Sequence, residues 1–169
     1  MAVMEITDTE QYLTFKLDEE TFAVDVSKVR EILEYTPITR VPRTPDFMRG
    51  VINVRGSVVP VMDLRVKFKM SKTEQSVDTC IIVLEMACED GVIVLGALAD
   101  SVQEVIELDP GQIEPTPHIG SRIRTEFIKG MGKRDGSFIM ILDIDKVFTL
   151  EDLTERVSGT GVEMQAEAV

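Results

Sequence analysis

The chain has 169 residues, 44% of them hydrophobic, enough for one ordinary domain or two small ones with a sizeable core. Its 30 acidic residues outnumber 18 basic ones, and the net charge of −12 opposes a nucleic-acid backbone or an anionic membrane surface as partner. It has no Trp and only 5% aromatic residues, so it lacks platforms on which bases or sugars stack.

Taken in order, the opening MAVMEITDTE has neither the basic nor the apolar region of a secretory signal. No later apolar run approaches the roughly 20 residues that span a bilayer. A cytoplasmic protein with no membrane insertion is expected. Residues 11–26, QYLTFKLDEETFAVDV, alternate on either side of the polar Asp18-Glu19-Glu20, the mark of a hairpin. In Ser27 to Leu33, the placing of Val29, Ile32 and Leu33 at i, i+3 and i+4 predicts a short helical turn capped by Asp25 or Ser27. Pro37, Pro42 and Pro45 then enforce an extended connection.

Met48 to Arg65, MRGVINVRGSVVPVMDLR, holds two β-branched runs separated at Gly56-Ser57, which predicts two strands and a tight turn. Pro60 has no N–H, so its strand is an edge strand there or is bulged. Arg49, Asn53, Arg55, Asp63 and Arg65 lie among these apolar residues and must pair or sit on a rim. A polar linker, Lys69 to Ser76, leads to a long strand over Asp78 to Cys88, a turn at Glu89-Asp90-Gly91 and a return over Val92 to Leu98. Val102 to Leu108 is another short amphipathic run, and Pro110, Pro115 and Pro117 mark a second extended connection. Phe127 to Phe148 closes the β region with a turn at Lys133 to Gly136. Thr149 with Asp152 starts a short C-terminal helix carrying Leu150, Leu153 and Val157, and 158–169 reads as a frayed tail.

The two halves repeat. Val29 to Glu34 matches Val102 to Glu107 at an offset of 73. Downstream the offset is 80: Phe47 meets Phe127, Gly50 meets Gly130, Gly56-Ser57 meets Gly136-Ser137, Asp63 meets Asp143 and Phe68 meets Phe148. An internal duplication of a strand-rich unit predicts a mainly β fold of two small barrels side by side, with motif sets at about 11–68 and 78–148. The shared residues are mostly apolar or Gly and read as scaffold. Asn53 and Arg55, replaced by Lys133 and Asp135, are the better functional candidates.

Catalytic chemistry finds little support. His118 is the sole histidine and has no nucleophile motif beside it. No phosphate-binding glycine loop and no cysteine or histidine cluster with metal spacing occurs, so no cofactor and no metal is expected. Asp63 and Asp143 occupy equivalent places, where capping or salt-bridging is the simpler role than a catalytic pair. Cys80 and Cys88 read as buried core thiols. The planar fork of Arg55 suits either a tie between two loops of its own barrel or a partner's carboxylate. Stripes at Val29, Ile32, Leu33 and at Val102, Val105, Ile106 could border a groove between barrels. Two other readings compete: a small enzyme using the Asp63/Asp143 or Arg55 region, and an OB-like nucleic-acid binder, which the charge and missing aromatics oppose.

The run FMRGVINVRGSVVPVMDLR, preceded by FAVDVSKVREILEY and followed by LADSVQEVIEL, closely resembles the CheW family of chemotaxis coupling proteins. The likeness covers Gln11 to Glu155, and RGSVVPVMDLR supplies the specific RGxxxPVxDLR core. The resemblance implies one domain of two intertwined five-stranded SH3-like barrels over 11–155. It implies a non-catalytic adaptor that bridges chemoreceptor (methyl-accepting chemotaxis protein) cytoplasmic tips to the regulatory domain of the histidine kinase CheA. By position, it puts receptor contact at Val26, Val29, Glu31, Ile32, Gly50, Arg55 and Val102. Kinase contact falls at Ile38, Val41, Pro42 and Ile119.

Overall fold

The computed structural model describes residues 10–88, 91–115 and 125–148. The C-terminal helix and tail, the Glu89-Asp90 turn, His118 and Ile119 lie outside the described residues. The described chain is mainly β. It opens with the expected hairpin, β1 (Glu10–Leu17) and β2 (Glu20–Asp25), turned at Asp18 with φ +60°. Both faces of β1 are covered: Leu13, Phe15 and Leu17 enter one core, Tyr12 enters another, and the buried Thr14 hydroxyl donates to Glu104 O at 2.8 Å.

The expected helical turn at Ser27 to Leu33 is a correction. A 3-10 turn covers Val26–Lys28 only, with Asp25 Oδ1 accepting from Ser27 N at 2.9 Å, and the chain then runs extended as β3 (Val29–Glu34). The cap is as expected, but β-branched Val29 and Ile32 pair across to β6 (Cys80–Cys88), and that ladder outweighs a weak helical spacing. The second amphipathic run is likewise a strand, β8 (Ser101–Leu108), paired with β1.

β4 (Met48–Val54) and β5 (Ser57–Asp63) form a hairpin whose two-residue loop, Arg55-Gly56, has φ of +49° and +89°. β10 (Ile128–Arg134) and β11 (Ser137–Leu142) repeat it with Asp135-Gly136 at +53° and +79°. A loop left-handed at both positions matches the twist of the flanking strands and favours Gly at the second. β5 pairs with β7 (Gly91–Ala99) only from Val61 onward, so Pro60 sits where β4 is its sole partner, as its missing N–H requires. After β8, a 3-10 turn at Pro110–Gln112 leads into β9 (Ile113–Glu114).

The strands form a six-stranded sheet, β8-β1-β2-β11-β10-β9, and a five-stranded sheet, β3-β6-β7-β5-β4. Each sheet mixes the two halves: β2 runs parallel to β11, and β5 runs parallel to β7. The halves agree in detail. Asp63 N donates to Phe47 O at 2.6 Å and Asp143 N to Phe127 O at 2.9 Å, and a register shift falls between Met48 and Gly50 as it does between Ile128 and Gly130. No strand pairing among the described residues closes either sheet, so these are two curled open sheets rather than hydrogen-bonded barrels. The curl is plain from packing. Leu33 of β3 and Ile52 of β4, on opposite edges of one sheet, share a core with Val59, Val61, Ile81 and Val83.

Between the sheets lies the largest core, filled from both halves and both short helices, α1 (Leu64–Lys67) and α2 (Ile144–Val147). Phe15, Phe22, Phe68 and Phe127 run through it with successive ring centroids 6.0, 5.9 and 5.9 Å apart. Gly50 has φ +147°, and a Cβ there would meet Thr39 O at 2.1 Å. Gly56 has open space around it and only its φ to defend. Gly50→Ala is therefore expected to cost about 2–4 kcal/mol, more than the roughly 1–2 kcal/mol for Gly56→Ala. Urea titrations of both variants check the ranking, and a Gly56 loss exceeding the Gly50 loss contradicts it.

Candidate functional site

Arg55 stands at the tip of the β4–β5 hairpin, and its Nη2 bonds to Glu31 Oε2 on β3. β3 and β4 are the two edges of the five-stranded sheet, so this ion pair spans a gap that no ladder crosses. Two residues expected at a receptor contact are thus brought together. The Arg55 side chain is 74% exposed and Glu31 24%, which leaves the guanidinium facing solvent with donors to spare. Asn53 supports the turn, its Oδ1 accepting from Gly56 N at 2.8 Å. At the equivalent tip, Asp135 is exposed and among the described residues meets its neighbour Arg134, at 3.9 Å, while Lys133 pairs with Glu114.

Val26, Val29 and Val102 are half-buried and pack on the central core. Val29 and Val102 belong to edge strands of different sheets, so the two sheets each offer a valine at the seam between them. Ile32 does not join them. In a strand, successive side chains alternate, and Ile32 is 43% exposed on the face opposite Glu31 and Leu33. The helical stripe Val29, Ile32, Leu33 is therefore split, with Leu33 in the core of its own sheet. The second stripe splits too: Val105 is exposed and Ile106 buried. Gly50 is buried beneath Ile38 and Thr39, so any influence on a partner passes through that loop. Cys80 is half-exposed rather than a core thiol, and burial pushes its thiol pKa up, which suppresses its reactivity. The side chain of Cys88 lies outside the described residues.

Asp63 is fully buried, and its oxygens are committed. They accept from Arg49 Nη1 at 3.0 Å, Thr73 N at 3.1 Å, Thr73 Oγ1 at 2.7 Å and, as the cap of α1, Arg65 N at 3.1 Å. The carboxylate thereby pins the linker 69–78, exposed apart from Thr73 and the half-buried Met70, to the sheet. Arg65 continues the network to Asp100 Oδ2 at 2.8 Å and Ser71 O at 2.9 Å. Such a saturated carboxylate is a structural anchor. Among the described residues no group of His, Cys, Asp and Glu has the arrangement to hold a metal. Among the described residues no helix is long and apolar enough to cross a membrane.

Ile38, Val41 and Pro42 come together on the wall of a cleft of about 690 Å³, which Tyr35, Met48 and Val66 also line. Arg49 lines it too, and sequence reasoning missed its other cations, Arg40, Arg43 and Lys72. The signal was the RVPR run at 40–43 in a strongly acidic chain.

Residues 11–152 match the family model of the CheW-like domain. The chain is 36% identical over 144 residues to the chemotaxis protein CheW of Klebsiella aerogenes, covering 85% of this chain and 84% of that one. It is 33% identical over 144 residues to CheW of Thermotoga maritima, covering 85% and 89%. A crystal structure of the scaffolding protein TtCheW from Thermoanaerobacter tengcongensis superposes with a TM-score of 0.75 at 34% identity, over 85% of this chain and 90% of that one. By its sheets, its RGSVVPVMDLR core and these matches, the chain belongs to the CheW-like family of chemotaxis proteins.

Proposed function

We propose that this protein is a non-catalytic cytoplasmic adaptor that couples the cytoplasmic tips of chemoreceptors to the histidine kinase CheA, with residues 11–155 acting as one domain and 158–169 as a tail. Its likeness to a scaffolding protein over 85% of the chain carries the reading. The saturated Asp63 opposes an enzymatic use of the Asp63/Asp143 region, and the net charge of −12 opposes a nucleic-acid module.

Receptor contact is assigned to the seam bordered by Val26, Val29 and Val102, with Ile32, Gly50 and the Arg55–Glu31 pair beside it. Kinase contact is assigned to the Ile38, Val41 and Pro42 wall together with Ile119. Receptor tips in this family are helical hairpins, whose apolar anchors suit half-buried valines at a seam. The adaptor reading predicts that the chain pulls down both a receptor cytoplasmic fragment and a CheA regulatory domain; binding to neither removes it.

Val29→Asp places an unpaired charge in a contact that must be dry, and should weaken receptor binding by roughly 2–4 kcal/mol. Unchanged titration in a variant that still melts normally rejects the seam.

Arg55→Ala removes an exposed ion pair, so thermal stability should change by at most about 1 kcal/mol. Receptor–kinase coupling should fall by roughly 1.5–3 kcal/mol, because the free donors of the guanidinium reach a receptor carboxylate. The double reversal Glu31→Arg with Arg55→Glu restores the internal pair but not that contact. Kinase activation in reconstituted arrays should stay low for it; full recovery would mean that Arg55 acts only by holding β3 to the hairpin.

A further inference from the structure

The cleft beside Ile38 and Val41 carries charge opposite in sign to the chain as a whole. Arg40, Arg43 and Lys72 are exposed on its rim, and none has a carboxylate within ion-pairing distance among the described residues. Asp46 is the one acid that lines it, and Arg49 is already neutralised by Asp63. Three uncompensated cations therefore meet in one concavity of a chain with net charge −12. Arg43 takes a left-handed backbone, φ +63°, in the loop between Pro42 and Pro45.

We infer that this cleft is an ionic docking site that reads an acidic, partly apolar segment of the CheA regulatory domain through Arg40 and Arg43, over an apolar floor of Ile38, Val41 and Met48. The inference rests on the adaptor reading above and adds to it the chemistry of recognition. Guanidinium forks pair with carboxylates in two parallel hydrogen bonds, which orients a partner as well as attracting it. The floor would stay wet under a small anion, and at about 690 Å³ the cleft is far larger than one phosphate. A second copy of this chain would bring another −12 of charge to the contact, which disfavours self-association. An acidic partner is repelled by a surface that is negative overall and attracted at this cleft, so the charge pattern favours docking here.

The test titrates the full chain with a CheA regulatory domain, comparing wild type, R40E/R43E and the neutral pair R40Q/R43Q, each checked by melting curve. Wild-type affinity should fall between about 50 and 300 mM salt. At low salt, R40E/R43E should weaken binding at least about tenfold and flatten the salt dependence, with R40Q/R43Q between. Binding of a receptor fragment should be unchanged in both variants. Wild-type binding that R40E/R43E leaves equal in strength and salt dependence overturns the ionic cleft while the adaptor reading stands. Self-association of the wild type that R40E/R43E abolishes, with kinase-domain binding kept, assigns the cleft to a second copy and overturns the inference. A wild-type chain that binds no kinase domain removes the adaptor reading, and the inference falls with it.

Discussion

Two short parallel ladders hold this fold together. Met140-Ile141 lies beside Phe22-Ala23, and Val61 to Asp63 lies beside Gly96 to Leu98. Each joins a hairpin from one half of the chain to a hairpin from the other. Two of the four edge strands follow the same exchange, β3 on β6 and β8 on β1. Without these ladders, each hairpin would leave an apolar face uncovered, and an isolated hairpin is marginal in water. With them, the faces turn inward together on the core that holds Phe22, Met62, Phe68 and Leu142. The position of Arg55 depends on the same exchange. Its hairpin reaches Glu31 because β7 and β6, from the other half, stand between that hairpin and β3 in the curled sheet.

The local parts of this arrangement are legible in the residues. The hairpins follow from alternation, and the left-handed turns at Gly56 and Gly136 follow from Gly placed between β-branched runs. The edge position of Pro60 follows from its missing N–H, and the pairing of Asp63 follows from the cost of an unpaired charge among apolar residues. What the residues hid is long-range. The segment after Ser27 has helical spacing, but its partner strand lies some fifty positions away, and no window along the chain displays that. Nor does spacing reveal which hairpin exchanges with which, or that both faces of β1 are covered. The misreading of β3 carried over to the site: a stripe drawn for a helix put Ile32 beside Val29, whereas a strand puts them on different faces. The exposure of Cys80 is hidden as well, because a place in an apolar run says nothing of a place at a strand's end.

The two halves share a backbone and differ in polar chemistry. Arg49 neutralises Asp63 and, with it, fixes the linker through Thr73. At the matching places, Lys129 turns to Glu10 at 3.8 Å, and Asp143 caps α2 without a side-chain bond. Among the described residues the Arg55–Glu31 tie likewise has no counterpart at Asp135, which pairs there with its neighbour Arg134 alone. Equivalent frames thus carry one elaborated rim and one plain one, and the elaborated rim belongs to the half with the RGSVVPVMDLR run.

The exchange of hairpins has a consequence for how the chain is made. As the polypeptide emerges, β1 and β2 appear early, yet their neighbours β8 and β11 are among the last strands translated. The second sheet becomes complete first, since β7 is out long before β11. For that interval β8 can cover the edge of β1, but β2 keeps an open edge, and the hairpin an uncovered face that carries Phe15 and Phe22. Non-local pairing of this kind is slow to form, and exposed strand edges invite wrong partners. The polar tip Asp18-Glu19 and the surplus of negative charge along the whole chain offer protection while the hairpin waits.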